Sequence, residues 1–178
     1  DVNHFSLPGG NIYLFRGLIE AAETRDDIAA IIAHEIAHLS RRDAVNRLAI
    51  KYGFAFAAQD VIGENPEIAQ HVISSLYKEG TILDYPFENE YIADAYALEY
   101  LDDAGYNPYG LLNMLQIVQN IQKTNPHHLQ LLLYTHPSTA SRIRRVKKDL
   151  GQLEAAKEFP TADAAFLELK SLLETIPR

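Results

Sequence analysis

The sequence predicts an α+β fold that is predominantly α, with one small N-terminal β-hairpin. Three observations predict it. Most of the chain after residue 17 places its apolar residues three and four apart, the spacing of a helix face. Alternation of the strand kind is confined to residues 3–16. Gly, Pro and capping residues punctuate the helical runs. With 178 residues, 47% of them apolar and 22% charged, the chain can bury one core, and residues 1–178 read as a single domain.

Taken in order, Phe5 to Leu7 and Asn11 to Phe15 flank Pro8-Gly9-Gly10, a turn composition, and make the hairpin. A first helix starts near Gly17 and carries Leu18, Ile19, Ala21 and Ala22. Thr24-Arg25-Asp26-Asp27 has the form of a capping box, with Asp27 standing where Glu or Gln is usual, and opens a second helix. That helix is expected to reach at least Arg42. Its amphipathic character continues through Val45, Leu48, Ile50 and Phe54 until Gly63-Glu64-Asn65-Pro66 breaks it. A helix over 66–78 and a loop around Gly80 follow. Asp84-Tyr85-Pro86 opens another helix, whose Tyr91, Ala95, Leu98 and Leu101 line one side until Gly105 and Pro108 stop it. Beyond it come a helix over 108–123, a break at Asn125-Pro126 and a short apolar turn from Leu129 to Leu133. His136-Pro137-Ser138 then starts a basic helix through Leu150, and the last helix runs from Thr161 to Ile176.

A formal net charge of -8 argues against a general binder of nucleic acid or anionic membrane, because nothing broad offsets phosphate repulsion. Arg144, Arg145, Lys147 and Lys148 read as a solvated face near a helix C-terminus. There is no cysteine, so disulfides and thiolate metal sites are excluded and a metal must be held by His and carboxylate. The longest membrane-like run, Tyr52 to Ala58, is far too short to span, and no transmembrane segment is expected in this chain. The chain opens on Asp1 without a signal region, as a processed or trimmed chain would.

Within the second helix stands His34-Glu35-Ile36-Ala37-His38. Two imidazoles four residues apart leave one helix face a turn apart and can both reach one Zn²⁺, while Glu35 projects beside the ion as a base for water. Chance supplies this pattern in roughly two of a hundred chains of such composition, so the remaining parts of a site decide its meaning. A catalytic zinc needs a third protein ligand. One zincin class would need Gly at 41 and His at 44; Arg41 and Ala44 exclude it. A gluzincin takes a Glu from a later helix with an Asp four residues on, and Asn89-Glu90-Tyr91-Ile92-Ala93-Asp94 has that form. Glu90 is therefore the expected third ligand and Glu88 the weaker rival. Asp94, on the same helix face, is expected to accept the N–H of one ligand histidine.

Together with Asn3-His4-Phe5-Ser6-Leu7-Pro8-Gly9-Gly10, Thr135-His136-Pro137 and Arg142-Ile143, these motifs resemble, in order, those of zinc metallopeptidase family forty-eight. That family includes HtpX, the CAAX prenyl proteases and soluble BepA-like proteins. The resemblance implies a gluzincin-type metallopeptidase domain binding one Zn²⁺ through His34, His38 and Glu90, with Glu35 as base and Asp94 in support. It implies that His136 and Arg142 face the open side, His136 near the metal and Arg142 holding that region. It also implies a periplasmic location, with a segment before Asp1 as a route to membrane association.

The long apolar helices of the membrane-embedded relatives are missing. His4 stands where the family pattern N-A-F has a small residue, and Asp43 where many relatives carry a further His. A place near the cleft is open to His4, but His4, His71, His127 and His128 lack supporting partners in the sequence and read as surface or structural. An unfolded protein or peptide is the expected substrate, bound as an extended strand beside the hairpin with Leu7, Pro8, Gly9 and Gly10 in contact. The alternative is a latent or non-catalytic zinc-containing module that holds peptides in a chaperone-like way.

Overall fold

The computed structural model describes residues 1–52, 86–136, 139–153 and 163–176. Phe54, the Gly63-Glu64-Asn65-Pro66 break, His71, the helix over 66–78, the loop around Gly80, Asp84-Tyr85, Pro137-Ser138 and Thr161 lie outside these. So does all but the first residue of the Tyr52 to Ala58 run.

Strands β1 (His4–Leu7) and β2 (Asn11–Leu14) pair antiparallel with Phe5 opposite Tyr13 and Leu7 opposite Asn11. Gly9 and Gly10, at φ 103° and 95°, make the turn that L side chains resist. The pleat sorts the side chains: Phe5 stacks on Tyr13 at 5.0 Å on one face, while His4 and Ser6 are buried. No strand among the described residues pairs with the other edge of β1.

Helix α1 (Arg16–Ala21) leads to α2 (Arg25–Ser40). The predicted capping box forms: Asp27 N–H donates to Thr24 Oγ1 at 3.3 Å, and Thr24 N–H donates to Asp27 Oδ2 at 2.8 Å. Asn113 also donates to Asp27 at 3.1 Å, tying this helix start to the helix that follows residue 108. The second helix does not continue through Arg42 as the amphipathic pattern suggests. It ends at Ser40, Arg42 adopts φ 55°, and α3 (Asp43–Tyr52) starts afresh. Apolar spacing does not register a single left-handed residue, which is why the break is invisible to it.

Then follow α4 (Phe87–Asp103), α5 (Tyr109–Thr124), a 3₁₀ turn (Pro126–Leu129), α6 (Gln130–Thr135), α7 (Thr139–Leu150) and α8 (Ala164–Thr175). On α4 the buried stripe is Glu90, Ala93, Asp94, Ala97, Leu98 and Leu101; it keeps the predicted Leu98 and Leu101, while Tyr91 and Ala95 are only half-buried. Two acids belong to the buried stripe, which an apolar reading overlooks.

Helix α2 lies between two apolar clusters. Ala30 and Ala33 join Ala97, Leu98, Leu101, Leu111, Leu115 and α7 residues on one side; Ile31 joins Leu18, Met114, Val118, Leu129 and Phe166 on the other. Small residues where α2 meets α4 let the axes approach closely. Gly110, at the start of α5, meets the first turn of α2 with no room for a side chain: a Cβ there would lie 2.6 Å from the Asp26 carbonyl carbon and closer to its oxygen. Gly110→Ala is expected to destabilise the protein by about 1–3 kcal/mol through overpacking against rigid backbone, read as a lowered melting temperature; an unchanged one would show that the two helices can part without penalty.

Candidate active site

Helix α2 presents His34, Glu35 and His38 from its buried side, all at most 1% exposed. Helix α4 brings Glu90, also fully buried, against them. His34 Nε2 and His38 Nε2 are 3.1 Å apart, His38 Nε2 is 3.2 Å from Glu90 Oε1, and His34 Nε2 is 3.6 Å from Glu90 Oε2. Ligand atoms in a tetrahedral zinc shell, each about 2.0–2.1 Å from the ion, stand about 3.3 Å from one another. The triangle fits such a shell. His136, the C-cap of α6, belongs to the same group of donors within 4.8 Å.

The far side of each imidazole explains the chemistry of the near side. His38 Nδ1 donates to Asp43 Oδ2 at 2.9 Å, and His34 Nδ1 lies 3.0 Å from Asp94 Oδ1. With Nδ1–H committed to a carboxylate, Nε2 of each ring is left as a lone pair aimed at the other and at Glu90. Arg142 donates twice to Asp94, at 2.8 and 2.7 Å, and its Nη1 sits 2.7 Å from Glu90 Oε2. Arg41 Nε donates to Asp43 at 3.2 Å. Four carboxylates (Glu35, Asp43, Glu90 and Asp94) thus meet two guanidinium groups, leaving two negative charges that one divalent cation balances.

These groups shift one another. Burial opposes a charged imidazolium, and Arg142 opposes it in His34, yet hydrogen bonds to Asp94 and Glu90 raise that ring. Burial also opposes charge on His38, but its hydrogen bonds to Asp43 and Glu90 lift it from 6.5 to about 9. Burial would raise Glu90, but His136 and Arg142 hold it well below the usual carboxylate range. Glu35 ends below that range too: burial, the largest single influence, raises it, and the hydrogen bond from His4 together with the charges of His4, His136 and His38 outweighs burial. Burial lowers His136.

Each residue predicted for the site can now be placed. His34, His38 and Glu90 converge, Asp94 backs His34, and Glu35 Oε1 lies 3.5 Å from His136 Nε2. Arg142 is buried among the acids behind the His34, His38 and Glu90 cluster rather than on an open side. Leu7 is buried at the end of β1, with Pro8, Gly9 and Gly10 in the turn beyond it. The hairpin reaches the cluster through His4 instead, three residues and about 10 Å of strand away. His4 is not at the surface, as its lack of sequence partners allows: it is buried, and its Nδ1 donates to Glu35 Oε1 at 2.6 Å. Asp43 was also missed. Five residues after His38, it would point away on a straight helix, and only the turn at Arg42 carries it back. His127 and His128 are exposed, as are Arg144, Arg145, Lys147 and Lys148, in line with the sequence reading.

Residues 1–150 match the model of peptidase family M48. The chain belongs to that family. It is 24% identical over 159 residues to the mitochondrial metalloendopeptidase OMA1 of Schizosaccharomyces pombe, covering 88% of this chain and 46% of that protein. With the beta-barrel assembly-enhancing protease of Yersinia pestis it shares 23% identity over 180 residues, 96% of this chain and 37% of the relative. OMA1 of Arabidopsis thaliana is 30% identical over 147 residues, 80% of this chain and 28% of that protein. The M48 chain thus spans less than half the length of these relatives. Among its described residues no helix is long and apolar enough to cross a membrane.

The raised His38 makes the metal-free M48 domain sensitive to alkali. Its stabilisation is fully present below the unfolded value of 6.5 and is lost as pH climbs through about 9. The melting temperature of chelator-treated protein is expected to fall across that interval. Asp43→Asn should flatten the fall and weaken metal binding by about 10–100-fold, measured by competition titration; an unsloped wild-type curve would contradict the His38–Asp43 assignment.

Proposed function

We propose that this domain is a zinc-dependent endopeptidase acting on unfolded or misassembled proteins, with residues 1–178 as one catalytic domain and one Zn²⁺ per chain. The observation that carries the reading is the meeting of His34, His38 and Glu90 at tetrahedral spacing beside a carboxylate, Glu35, whose Oε2 is buried with no hydrogen-bond partner among the described residues. The donor set of two imidazoles and one carboxylate is one that zinc accepts.

A divalent ion held there supplies Lewis acidity, which makes water acidic enough to release a proton near neutral pH and polarises a peptide carbonyl. Glu35 is in place to take that proton on Oε2 and return it to the leaving amine. Asp94 and Asp43 keep the ligand rings oriented, and Arg142 prevents Glu90 and Asp94 from repelling each other. His136 lies within reach of Glu35 and Glu90, where it can donate to the carbonyl oxygen as charge develops there. The edge of β1 that no strand among the described residues pairs with supports extended peptide binding by main-chain hydrogen bonds, which suits substrates without a fixed sequence. The names of the relatives, a metalloendopeptidase and a beta-barrel assembly-enhancing protease, agree with a peptidase. Likeness to the bacterial relatives supports a periplasmic location.

A second reading draws on His136. Its place in the donor group lets it close the fourth position, giving a latent peptidase or a peptide-holding module.

Glu35→Gln is expected to keep about one zinc per chain and lose about 10²–10⁴-fold in cleavage of an unfolded substrate such as reduced casein; undiminished cleavage would remove Glu35 from the mechanism. His136→Ala is expected to lower cleavage by about 10²–10³-fold. A rise on losing His136 would favour the latent form, and no cleavage by either protein would favour the holding module.

A further inference from the structure

His4 takes part in none of the metal-facing contacts, yet the fold commits it to the cluster. Alternation along β1 turns residues 4 and 6 into the interior, and His4 is only 4% exposed. Its Nδ1 lies 2.6 Å from Glu35 Oε1, and its ring sits 4.6 Å from that of His136 with 30° between planes. The other Glu35 oxygen, Oε2, is buried and has no hydrogen-bond partner among the described residues.

His4, Glu35 and His136 also satisfy the proximity expected of a metal site. The distance decides against that: two ligands of one zinc stand about 3.3 Å apart, whereas 2.6 Å is a proton-bridged contact. A glutamate carboxylate has three rotatable bonds and two equivalent oxygens, so nothing intrinsic presents one of them to water. A buried donor on Oε1 removes that freedom and singles out Oε2.

We propose that His4 is a positioning residue that donates Nδ1–H to Glu35 Oε1 and so presents Oε2 as the oxygen that exchanges protons with water and the leaving amine. The assignment rests on the peptidase reading above. It gives this chain a support for its base in the place of a small residue in the family pattern N-A-F, which has no donor to offer.

The test compares His4→Ala, His4→Leu and His4→Asn with wild type for zinc content, melting temperature, and kcat and KM on an unfolded substrate. Ala and Leu remove the donor, Leu keeping apolar volume, while Asn places an N–H close to where Nδ1 stood. Ala and Leu are expected to retain zinc and lose about 10–100-fold in kcat with KM unchanged, and Asn to recover most of that loss. A donor-free variant that folds, binds zinc and keeps wild-type kcat overturns the proposal. Equal losses in all three variants overturn it too, since they mark a purely structural role. A readout independent of turnover is the imidazole Nδ1–H proton of His4 in ¹⁵N-labelled protein: it is expected downfield and displaced by Glu35→Gln, and an Nδ1–H insensitive to that change overturns the contact. Wild-type protein that binds zinc but cleaves no peptide would instead defeat the peptidase reading, leaving the proton resonance to report on His4 alone.

Discussion

Three lone-pair atoms held 3.1–3.6 Å apart in a buried space are the constraint on which the rest of this structure depends. Two imidazole nitrogens whose partner nitrogens are engaged by carboxylates, and a carboxylate facing both, repel one another unless a cation or extra protons lie between them. The surroundings make sense as a frame for that arrangement. Asp94 and Asp43 fix the ring tautomers from behind, and Arg142 offsets the charge of Glu90 and Asp94. Asymmetry is part of the design: His34 is backed from α4, whereas His38 is backed by the start of the next helix.

A cluster with this much buried charge opposes folding, because desolvation exceeds what most ion pairs return. The apolar packing on either side of α2 offsets it. Leu98, Leu101, Leu111 and Leu115 hold one flank, and Leu18, Met114, Val118 and Leu129 the other, so the helix carrying His34 and His38 is gripped from both directions. Asp27 and Gly110 lock its first turn to α5. Rigid elements rather than loops therefore position His34, His38 and Glu90.

Much of this was legible in the residues. Helical spacing put His34 and His38 on one face, the Glu90–Asp94 interval pointed to the two acids that meet them, and Pro8-Gly9-Gly10 marked the hairpin; all are local patterns, readable within a few residues. What stayed hidden depends on contacts between distant segments or on one backbone dihedral. Asp43 reaches His38 only because Arg42 is left-handed. His4 meets Glu35 across 31 residues of chain. On α4, Leu98 and Leu101 are buried as expected, but the N-terminal half of the stripe runs through Glu90 and Asp94 rather than Tyr91 and Ala95, because apolar spacing alone gives acids no place on a buried face.

Strand β1 joins the hairpin to the buried cluster through the contact of His4 with Glu35. The claim under all of this is that α2 and α4 together clasp one divalent ion. Anomalous diffraction from zinc-loaded crystals measures it most directly. The account predicts a single strong peak about 2.0–2.1 Å from His34 Nε2, His38 Nε2 and a Glu90 oxygen. A peak elsewhere, or a Glu90 side chain turned away from the ion, would contradict it.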